Sequence, residues 1–224
     1  MHELEIERKF IVDKDKFFED VRNGGWEHYP IRQAYFAVDE KAEPRIQQIR
    51  VSVSGHENYE FLKQYDPKGE TYRKPRALIN IKSYTDGAWG REEFEYEIPV
   101  IEGVAMFDLG RNCIYRERYC KEINGVMWEV DNYKMENEGL LTAEVEIPNM
   151  RYNLMKPNWV VKEVTDNERY WNASLSKYPY NCFSMEPPNK VGCANLLIPP
   201  KRNKCKDCHR YGHCHSRFYD EAPE

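Results

Sequence analysis

The sequence predicts an α+β domain built on a mostly antiparallel β-sheet with flanking helices, followed by a small Cys/His-rich C-terminal extension. Three observations carry this. Eight segments alternate charged and apolar residues with the two-residue period of a strand. Compact turn signals such as Asn124-Gly125 separate several of them, and helical stretches are few. Five of the seven cysteines lie at or beyond residue 182, where the strand pattern has ended.

The first strand is His2–Val12. Glu3, Glu5, Glu7 and Lys9 share one face; Leu4, Ile6, Phe10 and Val12 share the other, with Arg8 the exception. Asp13 caps a helix over Lys14–Arg22, closed by Gly24-Gly25. Strands follow at Pro30–Val38 and Ile46–Val53. Gly55–Arg76 is polar, with turn signals at Asp66-Pro67 and Lys68-Gly69, and reads as an inserted loop or hairpin. Its basic cluster, Arg73, Lys74 and Arg76, is expected to be solvated or to border a ligand entrance.

Ala77–Tyr84 is the next strand, Asp86-Gly87 a turn, and Arg91–Ile98 a strand whose Glu93, Glu95 and Glu97 oppose Phe94, Tyr96 and Ile98. Pro99 ends it. A helix over about Glu102–Leu109 stops at Gly110. Cys113–Ile123 and Val126–Tyr133 form a hairpin across Asn124-Gly125, and Leu140–Ile147 is the eighth strand. Thr165-Asp166-Asn167-Glu168 is a capping-box signature for a helix reaching about Ser176, before Pro179.

Size and composition fit this plan. The chain has 224 residues and 26.8 kDa, with 41% hydrophobic and 13% aromatic residues, enough for one well-cored domain and an appendage. A net charge of −5 argues against bulk attraction to nucleic acid or an anionic membrane. No apolar run approaches the ~20 residues of a membrane span, and the charged N-terminus is no signal peptide. Clustered cysteines without a secretion signal read as a cytoplasmic protein that binds metal rather than forming disulfides.

The chemistry lies in the charged faces. A sheet closed on itself, with its apolar outside under helices, would gather Glu5, Glu7, Glu93, Glu95, Asp131, Glu144 and Glu146 against Lys9, Arg50, Lys82, Arg116 and Arg118. Confined carboxylates need protons or cations to neutralise them, and oxygen donors suit Mg²⁺ or Mn²⁺. The Lys and Arg walls suit a multiply charged anion such as polyphosphate. Alternation alone equally describes an open sheet with a solvated charged face.

Several segments together resemble the CYTH family of triphosphate tunnel metalloenzymes. Glu5-Ile6-Glu7-Arg8-Lys9-Phe10 is similar to its ExExK signature. It is followed in order by Ile49-Arg50-Val51, Ile79-Asn80-Ile81-Lys82, Arg91–Pro99, Arg116-Glu117-Arg118-Tyr119, Trp128-Glu129-Val130-Asp131, Gly139–Pro148 and Lys162-Glu163-Val164-Thr165. The resemblance covers residues 1–178 and leaves 179–224 as an extension. It implies an eight-stranded antiparallel β-barrel, a tunnel, that acts on triphosphate-containing substrates with Mg²⁺ or Mn²⁺.

By that resemblance Glu5, Glu7, Glu144 and Glu146 would bind metal, with Asp131 assisting. Lys9, Arg50, Lys82, Arg116 and Arg118 would grip phosphate oxygens, and Lys162 would contact one tunnel end. Glu93 and Glu95 would complete the acidic lining. Glu5, Glu7, Lys9 and Glu146 would be catalytic, with two metal ions activating a water for attack on the terminal phosphorus. Triphosphate hydrolysis, of inorganic tripolyphosphate or a nucleoside triphosphate, is the preferred reading. A class IV-type adenylate cyclase and a non-catalytic polyphosphate or nucleotide binder are the alternatives. A monomer or homodimer is expected. One departure stands out: Ser52 occupies the place of a second arginine usual in the family.

The tail holds Cys205-Lys206-Asp207-Cys208-His209 and then His213, Cys214 and His215. A CxxC pair can grip one face of a tetrahedral structural Zn²⁺, with Cys193, Cys205, Cys208 and Cys214 as the proposed ligands and Cys182 or a histidine as substitutes. Lys201, Arg202, Lys204, Lys206 and Arg210 make this the only part suited to nucleic acid.

Overall fold

The computed structural model describes residues 6–36, 46–58, 72–83, 93–110, 112–149 and 151–183. Glu5, the Asp86-Gly87 turn and the proposed zinc ligands Cys193, Cys205, Cys208 and Cys214 lie outside the described residues.

Nine antiparallel strands form a single sheet. They are β1 (Ile6–Val12), β2 (Glu27–Phe36), β3 (Ile46–Ser54), β4 (Arg76–Ser83), β5 (Glu93–Ile98), β6 (Asn112–Ile123), β7 (Val126–Tyr133), β8 (Leu141–Ile147) and β9 (Val160–Glu163). Their order is β5-β4-β3-β2-β6-β7-β8-β1-β9. The eight predicted strands are all present within a few residues at each end. The ninth, β9, adds to the free side of β1, pairing Ile11 with Lys162. Among the described residues β5 and β9 do not pair, so hydrogen bonding does not close the sheet into the eight-stranded ring that the resemblance implies.

Local chemistry explains the turns. Asn124 and Gly125 take φ of 53° and 79°, the two left-handed positions of a type I′ hairpin turn, and they join β6 to β7 in register. Helix α1 (Lys14–Arg22) begins at Asp13, whose carboxylate accepts from Lys16 N–H. The predicted helix after Thr165 breaks into a 3₁₀ turn, Glu168–Tyr170, and a four-residue helix, α3 (Asn172–Leu175). Thr165 is not free to cap it. Its hydroxyl accepts from Lys9 N–H at 3.1 Å and donates to Glu163 at 3.0 Å, so Asn167 caps the 3₁₀ turn two residues later and extended Trp171 separates the halves.

The apolar face of the sheet carries two cores. Under α1 lie Phe10, Val12, Tyr119, Trp128, Val130, Val145 and Trp159, with Phe17 of α1 edge-on to Tyr119 and Trp159. Trp128 and Trp159 are thus packing residues. Under α2 (Val100–Leu109) lie Ala34, Val51, Val53 and Ala77, with Phe107 of the helix buried among them. The approach of α2 is close: a Cβ on Gly103 would stand 2.3 Å from the Cβ of Ala77. Gly103→Ala is therefore expected to destabilise. The overpacking cost of about 1–3 kcal/mol exceeds the roughly 1 kcal/mol gain in helix propensity. Thermal melting would read this as a fall of a few degrees.

A third cluster, Tyr35, Ile114, Tyr133, Leu140 and Leu175, lies at one end of the opposite, polar face. Pairing Gln33 with Ile114, and Arg116 with Tyr133, places these apolar groups on the polar face. That end is filled by hydrocarbon from three strands and α3.

Candidate active site

Strand register brings the predicted charges onto one face. Glu7 pairs with Glu146 and Lys9 with Glu144 across β1 and β8; Asp131 pairs with Thr142 and with Arg118 across β8, β7 and β6. Farther along, Arg50 pairs with Asn80, and Lys82 with Glu93. The part of this face around Lys9, Arg116 and Asp131 is enclosed. Lys9 is 6% exposed, Arg116 4%, Asp131 1% and Thr142 0%, values that a solvated open face would not give. Burial therefore excludes a fully solvated charged face, although hydrogen bonds among the described residues do not close the sheet.

The face holds two ion networks. In the first, Lys9 Nζ donates to Glu144 Oε1 at 2.7 Å. Arg118 forks onto Asp131 with two bonds of 2.8 Å, reaches Glu144 Oε2 at 3.0 Å, and also binds Glu129. Arg116 Nε lies 3.0 Å from Asp131 Oδ2 as an ion pair. Its Nη1 donates to Gln33 Oε1 at 2.6 Å, and Gln33 Nε2 donates to Ser52 Oγ at 2.8 Å. In the second network Glu93 accepts from Asn80 and pairs with Lys82 at 2.8 Å and Arg50 at 3.3 Å.

These contacts set the protonation states. Burial raises the proton affinity of Glu144, but Lys9 and then Arg118 more than offset it and hold the carboxyl well below its ordinary range. Its neighbour Glu7 is pushed up to about 7, first by burial and then by the Glu144 charge, with Lys9 opposing. Glu129 is raised as well, by burial against the pull of Arg118. Glu93 also loses solvation, yet its bonds from Lys82 and Asn80 and the charges of Lys82 and Arg50 keep it ionised below the usual range.

The predicted residues therefore separate. Glu7, Lys9, Arg116, Arg118, Asp131 and Glu144 come together on β1, β6, β7 and β8; Arg50, Lys82 and Glu93 form the second group. Glu146 is exposed opposite Glu7, and Glu95 is exposed opposite Asn80. Lys162 is exposed on β9 opposite Ile11, near the hydrocarbon-filled end. Gln33, Thr142 and Tyr29 belong to the face and were not predicted. Only their two-residue spacing from other inward residues marks them, and many strand positions share that.

Several buried polar atoms of the face have no hydrogen-bond partner among the described residues: Arg50 Nε, Arg116 Nε, Asn80 Oδ1 and Thr142 Oγ1. Arg116 Nε still has its ion pair with Asp131, whereas the unpaired Arg50 Nε–H, beside guanidinium nitrogens that are paired, suits a ligand rich in anionic oxygens. No three carboxylate, imidazole or thiolate groups converge closely enough among the described residues to hold a metal ion. The donor chemistry along β1 and β8 does fit a hard divalent cation. Glu7, Glu144 and Glu146 are adjacent oxygen donors, and the Glu7–Glu144 repulsion is relieved by a cation as well as by a proton. Asp131 and Glu144 are both engaged by cations, Asp131 by Arg116 and Arg118 and Glu144 by Lys9 and Arg118, so either would have to release a partner to become a ligand.

The chain is similar to several known proteins. The CYTH domain family model matches residues 3–179. A protein of Acetivibrio thermocellus named inorganic triphosphatase is 33% identical over 181 residues, covering 80% of this chain and 97% of that protein. Among solved structures, the inorganic triphosphatase NE1496 is 22% identical with a TM-score of 0.49, covering 77% of this chain and 93% of that one. A Hippeastrum protein proposed as an adenylyl cyclase, described as having a dominant triphosphatase activity, is 13% identical with a TM-score of 0.45, covering 65% and 80%.

Proposed function

This chain belongs to the CYTH domain family, and we propose that it hydrolyses the phosphoanhydride bond of a triphosphate, inorganic tripolyphosphate first and nucleoside triphosphates second, with help from Mg²⁺ or Mn²⁺. The observation that carries this reading is that Lys9, Arg50, Lys82, Arg116 and Arg118, from four strands, share one face, which is enclosed around Lys9 and Arg116 and edged by Glu7, Glu144 and Glu146.

In this reading Lys9, Arg50 and Lys82 exchange their internal carboxylate partners for phosphate oxygens. Arg116 and Arg118 stay on Asp131 and offer their other N–H groups. Together they stabilise the charge that grows on the phosphate as the bond breaks. Arg116 and Arg118 present fixed donors because Asp131 anchors both guanidinium groups. Asp131 is thus a positioning residue. Glu5, Glu7, Glu144 and Glu146 would hold the divalent cation, which when bound would neutralise these carboxylates and polarise the phosphoryl group. Glu7 or Glu146 would take the proton of the attacking water. Glu93 holds Lys82 and Arg50 ready, Glu95 extends the acidic lining, and Lys162 guards the filled end. Residues 1–178 form the catalytic domain. Residues 179–224 form an extension in which Cys193, Cys205, Cys208 and Cys214 bind a structural Zn²⁺.

Phosphate release from tripolyphosphate and from ATP, with Mg²⁺ or Mn²⁺, tests the assignment. Turnover should vanish with EDTA and return with the cation. Cyclic AMP from ATP would identify a cyclase, and tight binding without either product would identify a binder. For the tail, chain truncated after Tyr180 should lose zinc that the full-length protein retains on metal analysis.

A further inference from the structure

The connection from β3 to β4 brings one more cation to the site. Gly55 has a φ of +90° and donates its N–H to the Pro30 carbonyl at 3.0 Å. A Cβ there would stand 2.5 Å from the carbonyl oxygen of Lys74. His56 N–H donates to the Arg73 carbonyl at 2.9 Å, and Arg73 N–H donates back to His56 Nδ1 at 3.1 Å. The Arg73 backbone is thereby fixed beside β2. Its guanidinium lies 3.9 Å from the centre of the Tyr29 ring and forks onto Glu27, with bonds of 2.8 and 2.9 Å.

Tyr29 joins this group to the site. It is 5% exposed and stands opposite Arg118 in the register of β2 and β6, so it shares the polar face. Its hydroxyl lies 3.7 Å from Cys120 Sγ and feels the charges of both Arg118 and Arg73. The direction matters. Arg73 stands at the end of the sheet where β1 begins and β8 ends, near Glu129 and away from the end filled by Tyr35, Ile114, Tyr133 and Leu175. Among the described residues, an anionic chain lying along the strands against Arg116 and Arg118 extends toward Arg73 and away from the hydrocarbon-filled end.

We propose that Arg73 is a specificity-determining residue that binds the outermost phosphate of chains longer than three phosphates, exchanging Glu27 for that phosphate. This rests on the triphosphatase reading above. Stacking on Tyr29 keeps the guanidinium in place while its carboxylate partner changes. A residue that merely pins the connection to β2 would affect all substrates alike.

The test compares KM and kcat for tripolyphosphate and tetrapolyphosphate in wild type, Arg73→Ala, Arg73→Lys and Glu27→Gln. Arg73→Ala should raise KM for tetrapolyphosphate by about tenfold or more while moving that for tripolyphosphate by less than about twofold. Arg73→Lys should recover part of the loss, and Glu27→Gln should lower KM for tetrapolyphosphate. Equal changes for the two substrates, or none for either, would overturn the proposal. Glu27→Gln reports independently if Arg73→Ala does not fold. If wild type releases no phosphate from tripolyphosphate, the hydrolase reading fails. Calorimetric binding of the two anions then judges Arg73 by the same ratio.

Discussion

Arg118→Ala is expected to lower kcat for tripolyphosphate by roughly 10²–10³-fold, the scale seen when one preorganised donor to a developing oxyanion is removed. Arg118 forks onto Asp131 and also reaches Glu144 and Glu129, more carboxylates than any other cation of the face meets among the described residues. Removing it deletes a phosphate donor and leaves three carboxylates to repel one another. Burial opposes its charge, yet Asp131 and then the other carboxylates hold the guanidinium even more firmly protonated than usual. Arg118→Lys keeps the charge but not the fork, so it should recover only a minor part of kcat. Steady-state phosphate release decides this, and wild-type kcat in the alanine variant would remove Arg118 from the machinery.

Asp131→Ala should produce the largest loss of stability. Asp131 is 1% exposed and partners two buried arginines. Breaking a buried pair from one side leaves charge without compensation, which costs about 3–5 kcal/mol. For a domain of this size that is a fall in Tm on the order of 10 °C. Asp131→Asn should lose less, since the amide oxygen still accepts from one guanidinium. A melting temperature unchanged in the alanine variant would show that the two arginines find other partners.

The pH dependence of stability has a definite sign at Glu7. Its carboxyl is raised to about 7 from an ordinary value near 4.5. Between those two values the folded state holds a proton that the unfolded state releases. Metal-free protein should therefore lose this contribution as pH rises from about 4.5 to about 7, and Glu7→Gln should flatten that part of the profile. Glu144 acts oppositely, because its carboxyl is held low. Its contribution is present above the ordinary carboxylate value and is lost as pH falls through the folded one. Chemical denaturation at a series of pH values in EDTA separates the two.

Much of the fold could be read from residue order because its strands are locally consistent. Asn124-Gly125 specifies its turn by backbone sterics, and Asp13 with Gly24-Gly25 brackets α1, so no distant contact is needed for either. β9 was not legible. Val160–Glu163 has four residues without alternation and becomes a strand through its pairing with β1. The Thr165 capping box failed for a related reason, because its hydroxyl is engaged by Lys9 N–H and Glu163, far away in the chain. At the site, alternation identified which charges share a face. It could not indicate burial, since a wet charged face has the same period. The links through Gln33 and Ser52, and the stacking of Arg73 on Tyr29, depend on register between strands distant in sequence.

Because Lys9, Arg116 and Arg118 are already neutralised by Glu144 and Asp131, the resting interior is a poor host for a lone polyanion and equally for a lone cation. An anion alone would strand the displaced carboxylates, and a cation alone would strand the lysine and arginines. Arriving together, they exchange partners with the Glu144 pairs, the cation taking the carboxylate and the anion taking Lys9 and Arg118. For the proposed hydrolase this makes the two ligands thermodynamically reciprocal: each strengthens the hold on the other by the same factor.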